Sequence, residues 1–351
     1  MVENMNKNSS KVTVLMPVHN GERYLRETIE SILNQTYSDF EFLIINDGST
    51  DKSEEIIKSY DDKRIRFVNN GRNLGRTETP NLGFDLAAGE YIVRTDCDDI
   101  SCPTRLEKQV RFMRENPDVG ICGSWMEVFG QGPSMIYKLP TGHEEIMCHL
   151  LFHNVIAHSS VIFRKSVLDK FKIRYSAEYK VAEDYELWLR AGRLTRLANF
   201  PESLLRYRIH QASTCFRMPE EYEVANRKVA TAALSGLGIE FSKEELDVHL
   251  DLVTLGFYPD KKRIEEMELW LMKLLAYNKN NNLLADKVFS GVVMTKWLMA
   301  CRRASRLGFW ILYKIWFTRL WKVTGMNTTR KMAFIMSQLA GFVSRKALFC
   351  R

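Results

Sequence analysis

The sequence has few cysteines for its length and lacks the patterns that would pair them. Seven cysteines are scattered through 351 residues, an odd number without a C-x-x-C pair. This excludes a disulfide framework and a cysteine-based zinc cluster, so we expect reduced thiols in a cytosolic protein. The opening residues carry Glu3, and no run of about 18 uncharged apolar residues occurs. We therefore expect neither a signal peptide nor a transmembrane helix.

Four common catalytic motifs are also missing. The chain has no G-x-x-x-x-G-K-[ST] loop, no G-x-G-x-x-G after its first apolar stretch, no G-x-S-x-G and no H-E-x-x-H. P-loop kinases, dinucleotide dehydrogenases, serine hydrolases and zinc proteases each depend on one of these motifs. The sequence gives no support to those classes of enzyme.

Acidic residues are absent from the last part of the chain. None occurs from Lys287 to Arg351, where thirteen of the fifty Lys and Arg residues lie, so the preceding residues hold 37 basic against 43 acidic ones. Residues 296–322 interleave the cations with tryptophans, which suits a helix lying in an anionic lipid interface. An ordinary packed helix remains the alternative. No nucleic-acid-binding module is present.

Strand-like and helix-like stretches alternate through the first part of the chain. Residues 11–16, 40–46, 65–68 and 90–95 are apolar and predict buried strands, with helix-period segments between them. Two shorter strands are predicted around VGICG and WMEVFG. This alternation predicts a parallel α/β sheet, in which ligands bind at the carboxyl ends of the strands.

Only helix-period segments follow residue 216. One of them begins with a capping box formed by Ser242 and Glu245. We therefore predict two domains, residues 1–216 with the sheet and residues 217–351 as a helical region.

Three carboxylates follow the fourth predicted strand within four positions: Asp96, Asp98 and Asp99. Two carboxylates ~4 Å apart repel by about 4 kcal/mol at an effective dielectric constant of ~20. A trapped proton, exposure to water or a bound cation would relieve this repulsion. Oxygen ligands favour Mg2+ or Mn2+ shared with the phosphates of a substrate. A turn that caps the next helix is the alternative.

Polar side chains also follow the other strand ends. Asp47 follows the second strand and could accept a hydrogen bond from a base, while His19, beside Asn20 after the first strand, could stack on that base. An Asx turn and an ordinary loop histidine remain alternatives. Arg76 and Asn81 follow the third strand, where the arginine could meet a phosphate or lie in solvent.

Two later segments offer an acid, a cation and an imidazole. Glu183 and Asp184 begin an amphipathic helix, where they either favour the helix dipole or provide a general base for a hydroxyl nucleophile. Arg208 and His210 follow an apolar stretch. The arginine could neutralise a leaving diphosphate and the histidine could complete a metal site, or serve the fold alone.

Roughly the first 215 residues resemble glycosyltransferase family 2 of the GT-A fold. The resemblance rests on the order and spacing of VTVLMPVHNGERYLRETIESILNQTYSDFEFLIINDGSTD, GEYIVRTDCDDISCPTRL, AEDYELWLR and YRIH. It implies a nucleotide-sugar donor, often a UDP-sugar, with a divalent metal on the diphosphate and inversion at the anomeric carbon.

The resemblance also implies residue roles. Asp184 would be the catalytic base. Asp98 would be the main ligand of Mn2+ or Mg2+, with His210 as the second protein contact to the metal or the diphosphate, and with Asp96 and Asp99 as further candidate ligands. Asp47 would accept from the base, His19 would lie against it and Asp96 would reach the ribose. The full set of expected donor contacts is Pro17, His19, Asn20, Asp47, Arg76, Asn81, Asp96, Asp98 and Arg208.

Two positions depart from the family pattern. Asn46 stands where the family usually has an aspartate, and His19 stands where it often has an aromatic residue. Both positions bear on nucleotide choice, so the preference for uridine over guanosine or thymidine stays open.

We therefore expect a metal-dependent inverting glycosyltransferase that acts on a saccharide or lipid-linked glycan in polysaccharide biosynthesis of the cell envelope. Transfer to a polyprenyl phosphate, which needs no base, and a non-catalytic nucleotide-sugar binding module are the alternatives. A sugar-nucleotide pyrophosphorylase is disfavoured because the glycine-rich phosphate loop is missing. The expected location is cytoplasmic, with peripheral contact to the inner membrane through the basic region and no nucleic-acid partner.

Overall fold

The computed structural model describes residues 11–211 and 219–324, together with Met332. These residues form two compact units, each of which takes its residues from two stretches of the chain. The first unit contains residues 11–146 and 155–211, and the second contains residues 147–154 and 219–324. A short early stretch thus belongs to the second unit. The predicted boundary near residue 216 lies outside the described residues.

One sheet of nine strands organises the described part of the first unit. The strands are β1 (Val12–Val18), β2 (Phe40–Asn46), β3 (Ile65–Asn69), β4 (Tyr91–Arg94), β5 (Ile100–Ser101), β6 (Val119–Phe129), β7 (Met135–Tyr137), β8 (Ile162–Arg164) and β9 (Arg196–Arg208). Their order is β3-β2-β1-β4-β8-β6-β9-β5, with β7 paired to β6. The first four strands pair in parallel, as do β6 and β9, whereas β5, β7 and β8 are antiparallel to their neighbours. The predicted mostly parallel α/β sheet is confirmed.

Within the described residues, seven α-helices lie between these strands along the chain, and six follow them. The first group is α1 (Leu25–Leu33), α2 (Ser53–Lys58), α3 (Glu78–Leu86), α4 (Arg105–Glu115), α5 (His143–Leu150), α6 (Lys165–Lys170) and α7 (Glu183–Ala191). The second is α8 (Pro219–Gly236), α9 (Lys243–Thr254), α10 (Lys261–Asn281), α11 (Asp286–Arg303), α12 (Phe309–Phe317) and α13 (Leu320–Val323). Within the part of the chain that the structure describes, no helix combines the length and the apolar character needed to cross a bilayer.

The centre of the sheet is apolar because it is covered on both faces. Val14, Leu15 and Phe42 of β1 and β2 are all completely buried, as expected for parallel strands inside an α/β fold. Helix α3 approaches β1 closely at Gly83, where a Cβ atom would lie 2.4 Å from a methyl carbon of Leu15. Glycine therefore lets this helix pack against the strand.

Strand β1 continues through Pro17, where the sequence analysis ended it. Proline has no N–H to donate to a ladder. Pairing of β1 with β4 ends at Leu15, so Pro17 pairs with β2 alone, opposite Ile45. The proline is tolerated because one edge of β1 is already unpaired there.

The two short strands predicted around VGICG and WMEVFG form one strand, β6. Both segments lie side by side with β9 in parallel, with irregular register at Ser124 and Trp125. Those irregularities let one continuous strand bend. In the sequence, the bend is visible only as an interruption of the strand pattern between VGICG and WMEVFG.

The second unit contains the predicted capping box at the start of α9. The Ser242 hydroxyl accepts from the backbone N–H of Glu245, and the Glu245 carboxylate accepts from the backbone N–H of Ser242. This reciprocal pair satisfies two backbone donors that the helix itself leaves unpaired.

A buried carboxylate fixes the last described helices of the second unit. Glu268 on α10 is 2% exposed and accepts hydrogen bonds from the Thr318 hydroxyl (2.7 Å), the backbone N–H of Arg319 (2.9 Å) and Nζ of Lys314 (3.1 Å). Burial raises the pKa of Glu268, but these three donors outweigh burial and hold that pKa below its ordinary value. The charged form of Glu268 therefore ties α12 and α13 to α10.

We expect Glu268→Gln to lower the free energy of unfolding by about 1–3 kcal/mol at neutral pH, because it removes charged hydrogen bonds. A lowered folded-state pKa gives stability above the unfolded pKa that is lost as the pH falls. The difference in free energy of unfolding between wild type and Glu268→Gln, measured by urea unfolding, should therefore be smaller at acidic pH. Glu265→Gln, which removes a more exposed contact to Lys314 at 3.6 Å, is the control and should cost less than about 1 kcal/mol. Equal stability of Glu268→Gln and wild type at neutral pH would contradict this account.

Candidate active site

The polar residues predicted at three strand ends lie at one edge of the sheet. Strands β1, β2 and β4 are adjacent and parallel, so their carboxyl ends coincide. His19, Asp47 and Asp96 follow these ends. In open α/β sheets this edge is where ligands bind.

The three acids after β4 form a tight cluster. One carboxylate oxygen from each of Asp96, Asp98 and Asp99 lies within 4.8 Å of the others. Asp99 is completely buried, whereas the side chains of Asp96 and Asp98 are about one-third exposed. The cluster is therefore buried at one end and accessible at the other.

Asp99 is the buried end of the cluster. Its Oδ1 accepts from the backbone N–H of Arg208 at 2.8 Å, whereas its Oδ2 has no hydrogen-bond partner among the described residues. Burial, with the nearby carboxylates of Asp98 and Asp96, raises the pKa of Asp99 well above its ordinary value. A buried oxygen without a partner beside two other carboxylates is a suitable ligand for a cation.

A pairing between distant segments places His210 at the cluster. Strand β5 pairs antiparallel with β9, which brings residues after Asp98 beside the end of β9. Nε2 of His210 then lies 2.9 Å from Oδ2 of Asp98, and its ring lies 4.9 Å from the ring of Tyr24. The imidazole therefore orients this carboxylate and lies within reach of a metal bound to it.

The Arg208 side chain is held by the protein on several sides. Its guanidinium lies over the rings of Tyr24 and Phe129, with Nη2 2.6 Å from Glu27 and Nε 2.9 Å from the backbone oxygen of Asp98. Its side chain is mostly buried. In this structure Arg208 fixes the loop that carries the acids.

Two buried arginines support the cluster, and the sequence analysis missed both. Nη1 of Arg94 lies 2.5 Å from Oδ2 of Asp96, and Arg94 is itself buried. Arg105 on α4 is completely buried and donates to the backbone oxygen of Arg94 at 2.8 Å. Burial lowers the pKa of Arg105 to about 10, although nearby Asp99 opposes this shift. The sequence signal available for Arg94 was its position at the end of an otherwise apolar strand.

Asp47 binds the loop at residues 70–75. Its Oδ1 accepts from the backbone N–H of Leu74 (2.8 Å) and the amide of Asn70 (2.9 Å), and its Oδ2 accepts from the backbone N–H of Gly75 (2.9 Å). Burial raises the pKa of Asp47, but the hydrogen bonds outweigh burial and lower it overall. The carboxylate is charged and holds this loop against the end of β2.

His19 joins the same loop to the end of β1. Its Nδ1 donates to the backbone oxygen of Asp47 at 2.8 Å, which leaves Nε2 to accept from the amides of Asn73 (3.2 Å) and Asn20 (3.3 Å). His19 is exposed. An exposed ring with a fixed orientation is able to lie against a flat ligand.

Asn20 stabilises the turn after β1. Its φ angle is 55°, a left-handed conformation that asparagine tolerates better than most residues. Its side-chain oxygen accepts from the backbone N–H of Thr50 at 2.8 Å, and its backbone N–H donates to Ser49. Asn20 thus connects the loops after β1 and β2.

The start of α7 carries the candidate base. Glu183 is buried and its Oε1 lies 3.1 Å from both Nε and Nη2 of Arg76. Asp184 is half-buried, and burial together with the neighbouring Glu183 raises its pKa to about 6. Arg94, which pairs with Asp96, is also an electrostatic neighbour of Asp184. Asp184, the candidate base, and the acidic cluster therefore share one region of the first unit.

The side chain of Asn81 binds the backbone of Tyr175. Its amide donates to the backbone oxygen of Tyr175 at 2.9 Å and its oxygen accepts from the backbone N–H of Tyr175 at 2.8 Å. The hydroxyl of Tyr175 in turn lies 2.6 Å from Nε2 of His158, a half-buried histidine that the sequence analysis did not name. Asn81 fixes the segment before α7.

Comparison with known proteins identifies the family. The model of glycosyl transferase family 2 matches residues 13–171. An uncharacterized glycosyltransferase of Haemophilus influenzae is 36% identical over 253 residues, which cover 67% of this chain and 77% of that protein. The O-antigen biosynthesis glycosyltransferase WbnJ of Escherichia coli is 35% identical over 224 residues, 61% of this chain and 86% of WbnJ.

A solved structure shows the same fold. Residues 1–349 of S. aureus TarS in complex with UDP-GlcNAc match with a TM-score of 0.57 and 18% identity, over 87% of this chain and 91% of that one. The family match includes the three strand ends and the acidic cluster, and two relatives share more than a third of the aligned residues over most of their own length. The chain belongs to glycosyltransferase family 2 and is a glycosyltransferase.

Proposed function

We propose that this glycosyltransferase transfers a sugar to a hydroxyl of a saccharide or lipid-linked glycan, with inversion at the anomeric carbon. The proposed donor is a nucleotide-sugar, with a UDP-sugar as the first candidate. The acidic cluster of Asp96, Asp98 and Asp99 is the observation that carries this proposal. The TarS structure holds UDP-GlcNAc and WbnJ acts in O-antigen biosynthesis. The first favours a nucleotide-sugar donor, and the second favours a role in polysaccharide biosynthesis of the cell envelope.

The residues present fit a divalent cation. Asp98, Asp96 and Asp99 would hold Mn2+ or Mg2+, with His210 as a further ligand, since Asp99 brings a buried oxygen without a partner. A cation bound there would stabilise the negative charge that develops on the leaving diphosphate. Arg94 orients the Asp96 carboxylate, as groups around metal ligands commonly do.

Asp184 supplies the base in this proposal. A hydroxyl nucleophile must lose its proton as it attacks, and a single carboxylate near the anomeric carbon is enough for one displacement with inversion. A pKa of about 6 leaves Asp184 charged at neutral pH and more basic than an ordinary aspartate. The Arg76–Glu183 pair holds the first turn of α7 in place.

The nucleotide would bind against the exposed ring of His19 and the 70–75 loop. Asp47 orders that loop through its backbone N–H groups, and Asn73 of the loop contacts the ring of His19. A direct contact between Asp47 and the base stays a prediction. Pro17 and Asn20 shape the same edge from the end of β1.

The place of action in this proposal is the cytoplasmic face of the inner membrane. Lipid-linked glycan acceptors would be presented there, and the basic C-terminal region would provide a peripheral contact with anionic lipid.

Thermal unfolding of the full chain with UDP-, GDP- and dTDP-sugars, each with and without Mn2+, tests the donor. We expect a UDP-sugar to raise the melting temperature only with Mn2+, because the diphosphate and the carboxylates share the cation. Asp98→Ala should lose this shift, and Asp184→Asn should keep it. Identical melting temperatures with every donor, with or without the metal, would argue against a nucleotide-sugar enzyme.

Asp184→Asn tests the reaction. Loss of a positioned base should lower the transfer rate by about 100- to 10,000-fold while donor binding is retained. Glu186→Gln is the matched control, because Glu186 lies in the same helical turn and pairs with Arg190, and it should keep near-normal activity. Full activity of Asp184→Asn would instead favour a charged acceptor such as a polyprenyl phosphate. Donor binding without any turnover in the wild type would favour a binding module.

The same variant makes a prediction about stability. Because folding raises the pKa of Asp184, the folded state prefers the neutral carboxyl; the resulting stability is present below the unfolded pKa and is lost as the pH rises through about 6. Asparagine is neutral at every pH. Asp184→Asn should therefore melt at a higher temperature than wild type at about pH 8 and at nearly the same temperature at about pH 4. If Asp184→Asn were less stable than wild type at about pH 8, folding would not raise the pKa of Asp184.

A further inference from the structure

Helix α12 presents a large apolar face to solvent. Its residues at spacings of three and four are exposed by 42–91%, which is unusual for side chains of this size in one stripe. They are Phe309, Leu312, Tyr313, Trp316 and Phe317. We call this stripe the α12 face.

The opposite side of α12 is packed and fixes the direction of the face. Ile311 is 3% exposed, and Lys314 pairs with Glu268 and Glu265 of α10. The indole of Trp321 donates to the backbone oxygen of Ile315 at 2.7 Å. The α12 face therefore points outward because the rest of the helix is anchored to its own unit.

Positive charge surrounds the α12 face in the chain. Residues 287–324 contain eight Lys and Arg residues and no Asp or Glu. Six of these cations are exposed: Lys287, Arg302, Arg303, Arg306, Arg319 and Lys322. An apolar stripe rich in aromatic residues and flanked along the chain by exposed cations matches an anionic lipid interface.

The length of α12 sets the mode of contact. A helix of nine residues is about 14 Å long, about half the thickness of the hydrocarbon core of a bilayer. It is therefore too short to cross a membrane and suited to lie in the plane of the interface.

We propose that the α12 face is a membrane-docking surface that inserts Phe309, Tyr313 and Phe317 among anionic lipids while the flanking cations contact headgroups. A second copy of the chain is a poorer occupant, because two such regions would bring like charges together. Nucleic acid is also poorer, because the centre of the face is apolar and offers no donors to phosphates. This surface refines the membrane contact proposed with the function, but its test does not depend on catalytic activity.

Flotation of the full chain with lipid vesicles tests the surface. We expect binding to vesicles that contain phosphatidylglycerol, weaker binding in high salt, and little binding to pure phosphatidylcholine. The triple variant Phe309→Ser, Tyr313→Ser, Phe317→Ser should lose binding. Arg302→Gln and Arg303→Gln should each weaken it by roughly fivefold.

A matched triple variant controls for the loss of exposed apolar side chains in general. Ile136→Ser, Leu194→Ser and Val224→Ser change three similarly exposed residues outside α12 and should bind vesicles as the wild type does. Unchanged melting temperatures exclude misfolding of either variant.

Two results would overturn the proposal. One is a wild type that fails to float with phosphatidylglycerol vesicles, or an α12 triple variant that floats equally well. The other is a wild type that forms a dimer in sedimentation velocity and does not bind vesicles, together with an α12 triple variant that is monomeric. That result would assign the face to a second copy of the chain. Donor-dependent thermal shifts would be unaffected in either case, so the docking surface and the proposed reaction fail independently.

Discussion

Three carboxylates, those of Asp96, Asp98 and Asp99, meet at the end of a buried strand. Their mutual repulsion is the constraint that the surrounding residues of the first unit must offset. The protein offsets part of this charge itself. Arg94 pairs with Asp96, His210 contacts Asp98, and a backbone N–H donates to Asp99. One oxygen of Asp99 remains buried without a partner among the described residues. A shared divalent cation would satisfy that oxygen and reduce the remaining repulsion.

The surrounding structure keeps these groups in place through contacts made by backbone atoms and buried guanidinium groups. Arg105 holds the strand end through the backbone oxygen of Arg94, and Arg208 holds the acidic loop through the backbone of Asp98. Asp47 does the same for the 70–75 loop. A site held in this way keeps its geometry before any ligand arrives, which lowers the cost of binding.

Local patterns predicted much of the fold, but not how the candidate site is supported. Alternating strand and helix periods placed the acids at a strand end, and the capping box of Ser242 was visible within four residues. The contact of Arg208 with Asp99 spans 109 positions, and that of Asn81 with Tyr175 spans 94. Such pairs follow from strand order and β-pairing, which no short window contains. A buried arginine is likewise visible only once the packing is known.

Direct binding of Mn2+, followed by electron paramagnetic resonance of the free ion in the presence of UDP, tests the central claim most closely. The account predicts that the wild type removes Mn2+ from solution. Asp98→Asn should bind it about tenfold more weakly or worse, whereas Asp184→Asn should bind it as the wild type does. Wild-type protein that leaves the free-ion signal unchanged, or Asp98→Asn that binds Mn2+ normally, would contradict a metal-centred acidic cluster.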